Sequence, residues 1–149
     1  MDAGEARDRF AEARVARLAT ADADGRPHLV PIVFALSDDR LYSAIDLKPK
    51  AHAGPSARLR RLDNIHANPA VSVLVDDYTE DWGQLWWARA DGTARVIAAT
   101  DVEAARAIRA LADRYPQYRD APPPGPVIAI AVDRWSGWAA RSDPDTLNN

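Results

Sequence analysis

A small barrel, mainly β with helices at its periphery, is the fold class the sequence predicts, and three observations predict it. Period-two alternation of apolar and polar residues recurs in six or seven short stretches, turn dipeptides such as Asp24-Gly25 and Asp38-Asp39 separate several of them, and only three stretches carry a helical period. Period two sends alternate side chains to opposite sheet faces, so each strand needs a core on one side. The 149 residues, 47% of them hydrophobic, fit one domain over 1–149 with a sizeable core.

Residues 2–14 mix alternating charges with Phe10 and several alanines, which predicts a short helix. Residues 14–20 set Val15, Arg17 and Ala19 against Ala16, Leu18 and Thr20, a strand that Asp24-Gly25 closes as a hairpin because glycine supplies the positive φ of a tight turn. The stretch 27–35 is a second strand. Pro31 inside it cannot donate to a ladder, which predicts an edge, a bulge or a backbone open to another partner. Asp38-Asp39 turns the chain into a third strand over 40–45, and a loop over 46–56 leads to a helix over 57–67. That helix ends at Asn68-Pro69, since proline cannot continue it and disfavours helical geometry in its predecessor.

The apolar run 70–75 is a core strand, followed by an acidic connection over 76–81. Residues 85–90 and 92–98 are expected as a further pair of strands around Asp91-Gly92, with Trp82, Trp86 and Trp87 clustered ahead of the turn. Thr100 or Asp101 caps a helix of about fifteen residues ending near Tyr115-Pro116, with Val102, Ala105, Ile108, Leu111 and Ala112 on one face. The Pro-Pro-Pro-Gly-Pro run at 122–126 is a stiff connector, 127–132 is a strongly apolar last strand, and Trp135-Ser-Gly-Trp138 precedes a polar tail. Mostly antiparallel strands in this order predict a closed barrel.

Composition excludes several functions. A net charge of −3 argues against a general nucleic-acid binder. There is no apolar run of about eighteen residues and no signal-peptide pattern, so no membrane partner is expected and the expected location is cytoplasmic. Zero cysteines remove disulfides, thiolate metal sites and a cysteine nucleophile. His28, His52 and His66 lack metal-site spacing, so no metal is expected, and no serine sits in a nucleophile elbow. No Rossmann or P-loop glycine fingerprint is present. Redox chemistry must therefore be borrowed from a cofactor.

The cations carry the sharper signal. Both lysines of the chain fall in Lys48-Pro49-Lys50, and Arg58, Arg60 and Arg61 follow closely. On the helix Arg58, Arg61 and Ile65 share one face and Leu59, Leu62 and His66 another, so Arg58 and Arg61 can point at one anion. A lysine ammonium serves as a point charge for phosphate. On spacing alone, a solvated basic face is the commoner reading. The carboxylates at 76–81 read most simply as a solvated turn, and the five tryptophans as core and interface filler.

The chain resembles the split β-barrel flavin and deazaflavin oxidoreductases, the superfamily of pyridoxamine 5′-phosphate oxidase, and within it the small branch dependent on coenzyme F420. The resemblance rests on Val15-Ala-Arg-Leu-Ala-Thr20, Gly25-Arg-Pro-His-Leu-Val-Pro-Ile-Val-Phe34, Leu41-Tyr-Ser-Ala-Ile45, Lys48-Pro-Lys50, Leu62-Asp-Asn-Ile65 with Asn68-Pro69, Trp86-Trp-Ala-Arg-Ala-Asp-Gly-Thr-Ala94 and Trp135-Ser-Gly-Trp138. It implies a homodimer of six-stranded, Greek-key-like antiparallel barrels with cofactor in grooves at the dimer interface. It further implies that Pro31, Ile32 and Val33 offer backbone groups to the cofactor ring and that Ser43 and Ala44 line the approach to its phosphate. Lys48, Lys50 and Arg61, with Arg58 beside them, become the phosphate cations; Trp86, Trp87 and Arg89 come from the partner subunit or wall the substrate pocket. The implied activity is hydride transfer between bound F420 and an unsaturated small molecule. The alternatives are an FMN-dependent oxidoreductase of the same fold or a non-catalytic F420 carrier. The segment with which pyridoxamine phosphate oxidases close over substrate and their arginine-rich C-terminus have no counterpart here, so vitamin B6 oxidation is not expected.

Overall fold

The computed structural model describes residues 1–45 and 55–140, with the backbone alone for 55–59. Helix α1 (Ala3–Glu12) starts where the sequence signals it: Asp2 accepts from the Glu5 amide at 2.9 Å and the Glu5 carboxylate accepts from the Asp2 amide at 2.7 Å, a capping box. Strands β1 (Ala16–Ala21) and β2 (Pro27–Ile32) form the expected hairpin, with Gly25 at φ +83° in its turn. Strands β3 (Ala35–Ser37) and β4 (Arg40–Ala44) follow, then helix α2 (Pro55–Ala67) and β5 (Ala70–Asp77). A 3-10 turn (Trp82–Gln84), β6 (Trp86–Ile97), helices α3 (Val102–Arg114) and α4 (Pro116–Asp120), and β7 (Val127–Ala139) complete the chain.

All seven strands join one antiparallel ladder in the order β2-β1-β5-β6-β7-β4-β3. The predicted closed six-strand barrel is thus an open seven-strand sheet. The stretch expected as one strand over 27–35 divides into β2 and β3, the two ends of the ladder, joined covalently through Val33 and Phe34. The cause lies at Phe34. Its amide donates to the Tyr115 hydroxyl at 3.2 Å, and that hydroxyl has the Phe34 carbonyl at 2.9 Å and the Arg14 carbonyl at 3.0 Å as alternative acceptors for its single proton. A side chain replaces a strand partner and satisfies the buried backbone there.

The expected hairpin at Asp91-Gly92 is also corrected. Strand β6 runs straight through it, and the extra residue lies opposite, in β7, where Arg134 pairs with Asp91 but Val132 pairs with Gly92. Glycine is needed at 92 because a Cβ there would overlap the Ala131 carbonyl oxygen. β7 accordingly extends through the Trp135–Trp138 segment rather than stopping at 132.

The core is built by alternation. Leu18, Val73, Ala88, Ala90, Ile128 and Ile130 face inward together with Phe34, and α1 inserts Ala6 and Phe10 among them. Phe10 meets Phe34 at 5.8 Å and Trp135 at 5.1 Å between ring centroids, both edge-on. Helix α3 covers the outer side of β4 and β7 with Ala104, Ala107 and Leu111. The predicted face is displaced, since Val102 is 67% exposed while Ala104 and Ala107 are buried against Tyr42 and Val127, with Ile108 packed beside them. The helix ends at Tyr115 as expected, and Pro116 opens α4.

Candidate functional site

The polar corner of the molecule lies where α2 meets β1 and β2. Period two turns His28 and Thr20, paired across β1 and β2, toward the helix. Asn64 of α2, 4% exposed, donates its side-chain amide to the Thr20 hydroxyl at 3.0 Å and pins the helix to the strands. Ile65 is buried beside it, and Arg61 is half-buried one turn earlier. Arg60 and Arg61 therefore stand close to His28. Burial first, then the Arg60 and Arg61 guanidiniums, push the imidazole below its ordinary value of 6.5, so it is neutral near pH 7. Its Nδ1 is shielded from solvent and finds no hydrogen-bond partner among the described residues. Two guanidiniums and an imidazole are thus gathered beside the pinned β1–β2 pair.

Sequence reasoning found Arg61 but missed His28, Thr20 and Asn64. No local pattern links position 28 to position 60; only the antiparallel pairing of β1 and β2 and the docking of α2 bring them together. Arg58 lies on α2 with its side chain outside the described residues, and Lys48 and Lys50 lie outside them altogether.

The ring-side residues divide. Pro31 is exposed on β2, an end strand paired on one side only, as its proline predicted. Ile32 is buried at 6% exposure, and the Val33 carbonyl accepts from the Ser43 hydroxyl at 2.9 Å. Ser43 and Ala44 are both buried, Ala44 beneath Leu111 and Tyr115. Trp86 packs against the core with the Arg9 guanidinium 4.5 Å above its ring. Trp87, Arg89 and Pro31 instead share the outer sheet face: Pro31 pairs with Arg17, Arg17 with Leu74, and Leu74 with Arg89. Arg89 bonds Asp91 at 3.0 Å, and Trp87 is the cross-strand neighbour of Trp138. On this face Leu29 is 65% and Trp138 44% exposed.

A second charged cluster lies under α3. The Glu103 carboxylate accepts from Arg40 at 2.8 Å, from the Tyr42 hydroxyl at 2.9 Å and from Arg95. Chiefly the Arg95 hydrogen bond, against burial, holds this carboxyl below the ordinary glutamate value, while burial raises the Tyr42 hydroxyl. Tyr42 lies on β4. The structure commits its proton to Glu103, on the opposite side of β4 from Ser43.

A mainly β antiparallel sheet in this strand order defines a class, the split barrels of the pyridoxamine 5′-phosphate oxidase type. The model of the family described as pyridoxamine 5′-phosphate oxidase matches residues 3–139, and the chain belongs to that family. No curated protein matches the chain. Among solved structures, an FAD-binding protein from Mesorhizobium loti is 25% identical, with 92% of this chain and 94% of that one covered at a TM-score of 0.70. A conserved hypothetical protein from Mycobacterium tuberculosis is 24% identical, covering 95% and 86% at 0.67. The heme storage protein HutZ of Vibrio cholerae, at 16% identity, 93% and 95% coverage and 0.68, shares the fold. No helix among the described residues is long and apolar enough to cross a membrane.

Proposed function

We propose that this chain is an oxidoreductase that holds a phosphate-bearing flavin-type cofactor along β2 and transfers hydride between it and an unsaturated small molecule. The observation that carries the reading is the shielded Nδ1 of His28 on an imidazole that lies in the field of Arg60 and Arg61. Three residues, about 10 Å along an extended strand, separate this cationic end of β2 from Pro31. One strand thus offers cations at one end and free backbone edge at the other, the polarity that a ring carrying a phosphate needs.

The cofactor supplies the hydride chemistry; the protein supplies the rest. Arg60 and Arg61 neutralise the phosphate, and His28 adds a hydrogen bond that strengthens when the imidazole is protonated. Thr20 and Asn64 fix the helix that carries the arginines. The motifs Lys48-Pro-Lys50 and Trp86-Trp-Ala-Arg89 favour coenzyme F420 as the cofactor. FMN is the alternative, and the FAD bound by the Mesorhizobium loti protein supports a flavin nucleotide. The outer face with Leu29, Pro31, Trp87 and Trp138 fits a second copy of the chain, which makes a homodimer part of this proposal.

The test is to load the purified full chain separately with reduced F420 and reduced FMN under anaerobic conditions and follow their absorbance after adding enones and quinones. Oxidation faster than in protein-free controls with one cofactor identifies it. Tight binding without accelerated oxidation supports a carrier, and failure to bind either removes the reading.

A further inference from the structure

Away from the β2–α2 corner, a cleft of about 680 Å³ opens between α3 and the β3–β4 turn. Its size falls within the range of about 300–1,000 Å³ typical of small-molecule pockets. We propose that this cleft is a second binding site, for a small zwitterion of the amino-acid class carrying one carboxylate and one ammonium.

Of the groups lining the cleft, Glu103 is engaged with Arg40 and Tyr42. Asp39 is engaged with Arg7 at 3.4 Å and with the Trp135 indole N–H at 3.1 Å. Two charges remain. Arg106, one turn along α3 from Glu103, and the Asp38 carboxylate make no hydrogen bond or ion pair among the described residues. A second carboxylate on a ligand would meet the Asp38–Asp39 turn unfavourably, and a second cation would meet Arg106. A molecule with one charge of each sign satisfies both, and Ala107, Ala110 and Val132 offer an apolar floor for the carbons between them.

The turn itself supports this assignment. Asp38 holds φ +52°, a left-handed conformation that glycine adopts freely and that aspartate enters more readily than most other side chains. An aspartate at that position retains a carboxylate where glycine would meet the backbone geometry more freely, a pattern seen where strain serves a site.

Linear amino acids from glycine to 5-aminovalerate, titrated into the full-length protein by NMR, test the proposal. Carboxylate-only and amine-only compounds of matching length are the controls. At least one amino acid is expected to saturate, shifting the amides of Ala107, Ala110 and Asp38, about tenfold more tightly than either control; tenfold is about 1.4 kcal/mol. Arg106→Gln and Asp38→Gly are each expected to weaken it about tenfold, a single charge-assisted contact. Glycine suits the backbone at 38, so that variant folds as the parent does. Equal binding of a single-charge control, unchanged affinity in both variants, or no saturation across the series would overturn the assignment.

Discussion

The arginines under α3 and those of α2 stand in opposite electrostatic settings. Around Glu103, one carboxylate takes Arg40, Arg95 and the Tyr42 hydroxyl, so that β4, β6 and α3 are tied together. Around His28, two guanidiniums converge on an imidazole that their field and burial keep neutral. The first arrangement is complete without a ligand and is structural. The second gathers positive charge around a group that carries none near pH 7, and under the proposed function it is completed by the cofactor's phosphate. Arginine count would not distinguish the two; the identity of the group at the centre does.

The largest effect should come from removing the accumulated charge. In an Arg60→Ala/Arg61→Ala double variant, FMN or F420 affinity is expected to fall about 100-fold, or about 3 kcal/mol for two charge-assisted contacts, while the melting temperature stays close to that of the parent. Equilibrium titration and thermal unfolding on the same preparations check both halves. Glu103→Gln should do the reverse. Unfolding free energy is expected to drop by about 1 kcal/mol, a modest figure because Arg40 and Arg95 are more than half exposed. Cofactor affinity should remain within about twofold.

The two clusters should also separate by pH. The Glu103 carboxyl is depressed in the folded chain, so its stabilisation is fully present above the ordinary glutamate value of 4.5 and is lost as pH falls through the folded value. Urea unfolding of parent and Glu103→Gln should converge in acid. The His28 imidazole is also depressed, so the folded chain binds fewer protons there than the unfolded chain and loses stability as pH falls through 6.5. A bound phosphate reverses that sign by favouring the imidazolium. Relative to His28→Gln, parent affinity for FMN should therefore rise as pH drops below 6.5. Parallel titration curves for the two proteins would remove His28 from the site. The smallest effect concerns neither centre: Asp38→Gly should leave the unfolding free energy within about 0.5 kcal/mol of the parent, because relief of the positive φ is offset by the greater entropy of glycine in the unfolded chain, measurable by urea denaturation.

What was legible in the sequence was local. The short helix within 2–14, the Asp24-Gly25 hairpin, the proline-marked edge of β2 and the Asn68-Pro69 stop of α2 depend on neighbours a few residues apart, and each appears in the structure. Asp91-Gly92 misled because one dipeptide serves two geometries. It closes a tight turn, and it also permits close approach of a distant backbone, here that of Ala131. The division of β2 from β3 depends on a Tyr115 hydroxyl far along the chain, which no window around Phe34 contains. The site behaved likewise. Arg61 was visible as one of a run of cations, whereas His28 joins it only through strand pairing and helix docking.

The measurement that tests the central claim most directly is a titration of FMN and of F420 into the parent and the Arg60→Ala/Arg61→Ala variant at two salt concentrations, followed by tryptophan quenching. The account predicts saturable binding of one cofactor to the parent, weakened by salt, with both the affinity and its salt dependence reduced in the variant. Equal affinity in parent and variant, or binding of neither cofactor, would contradict it.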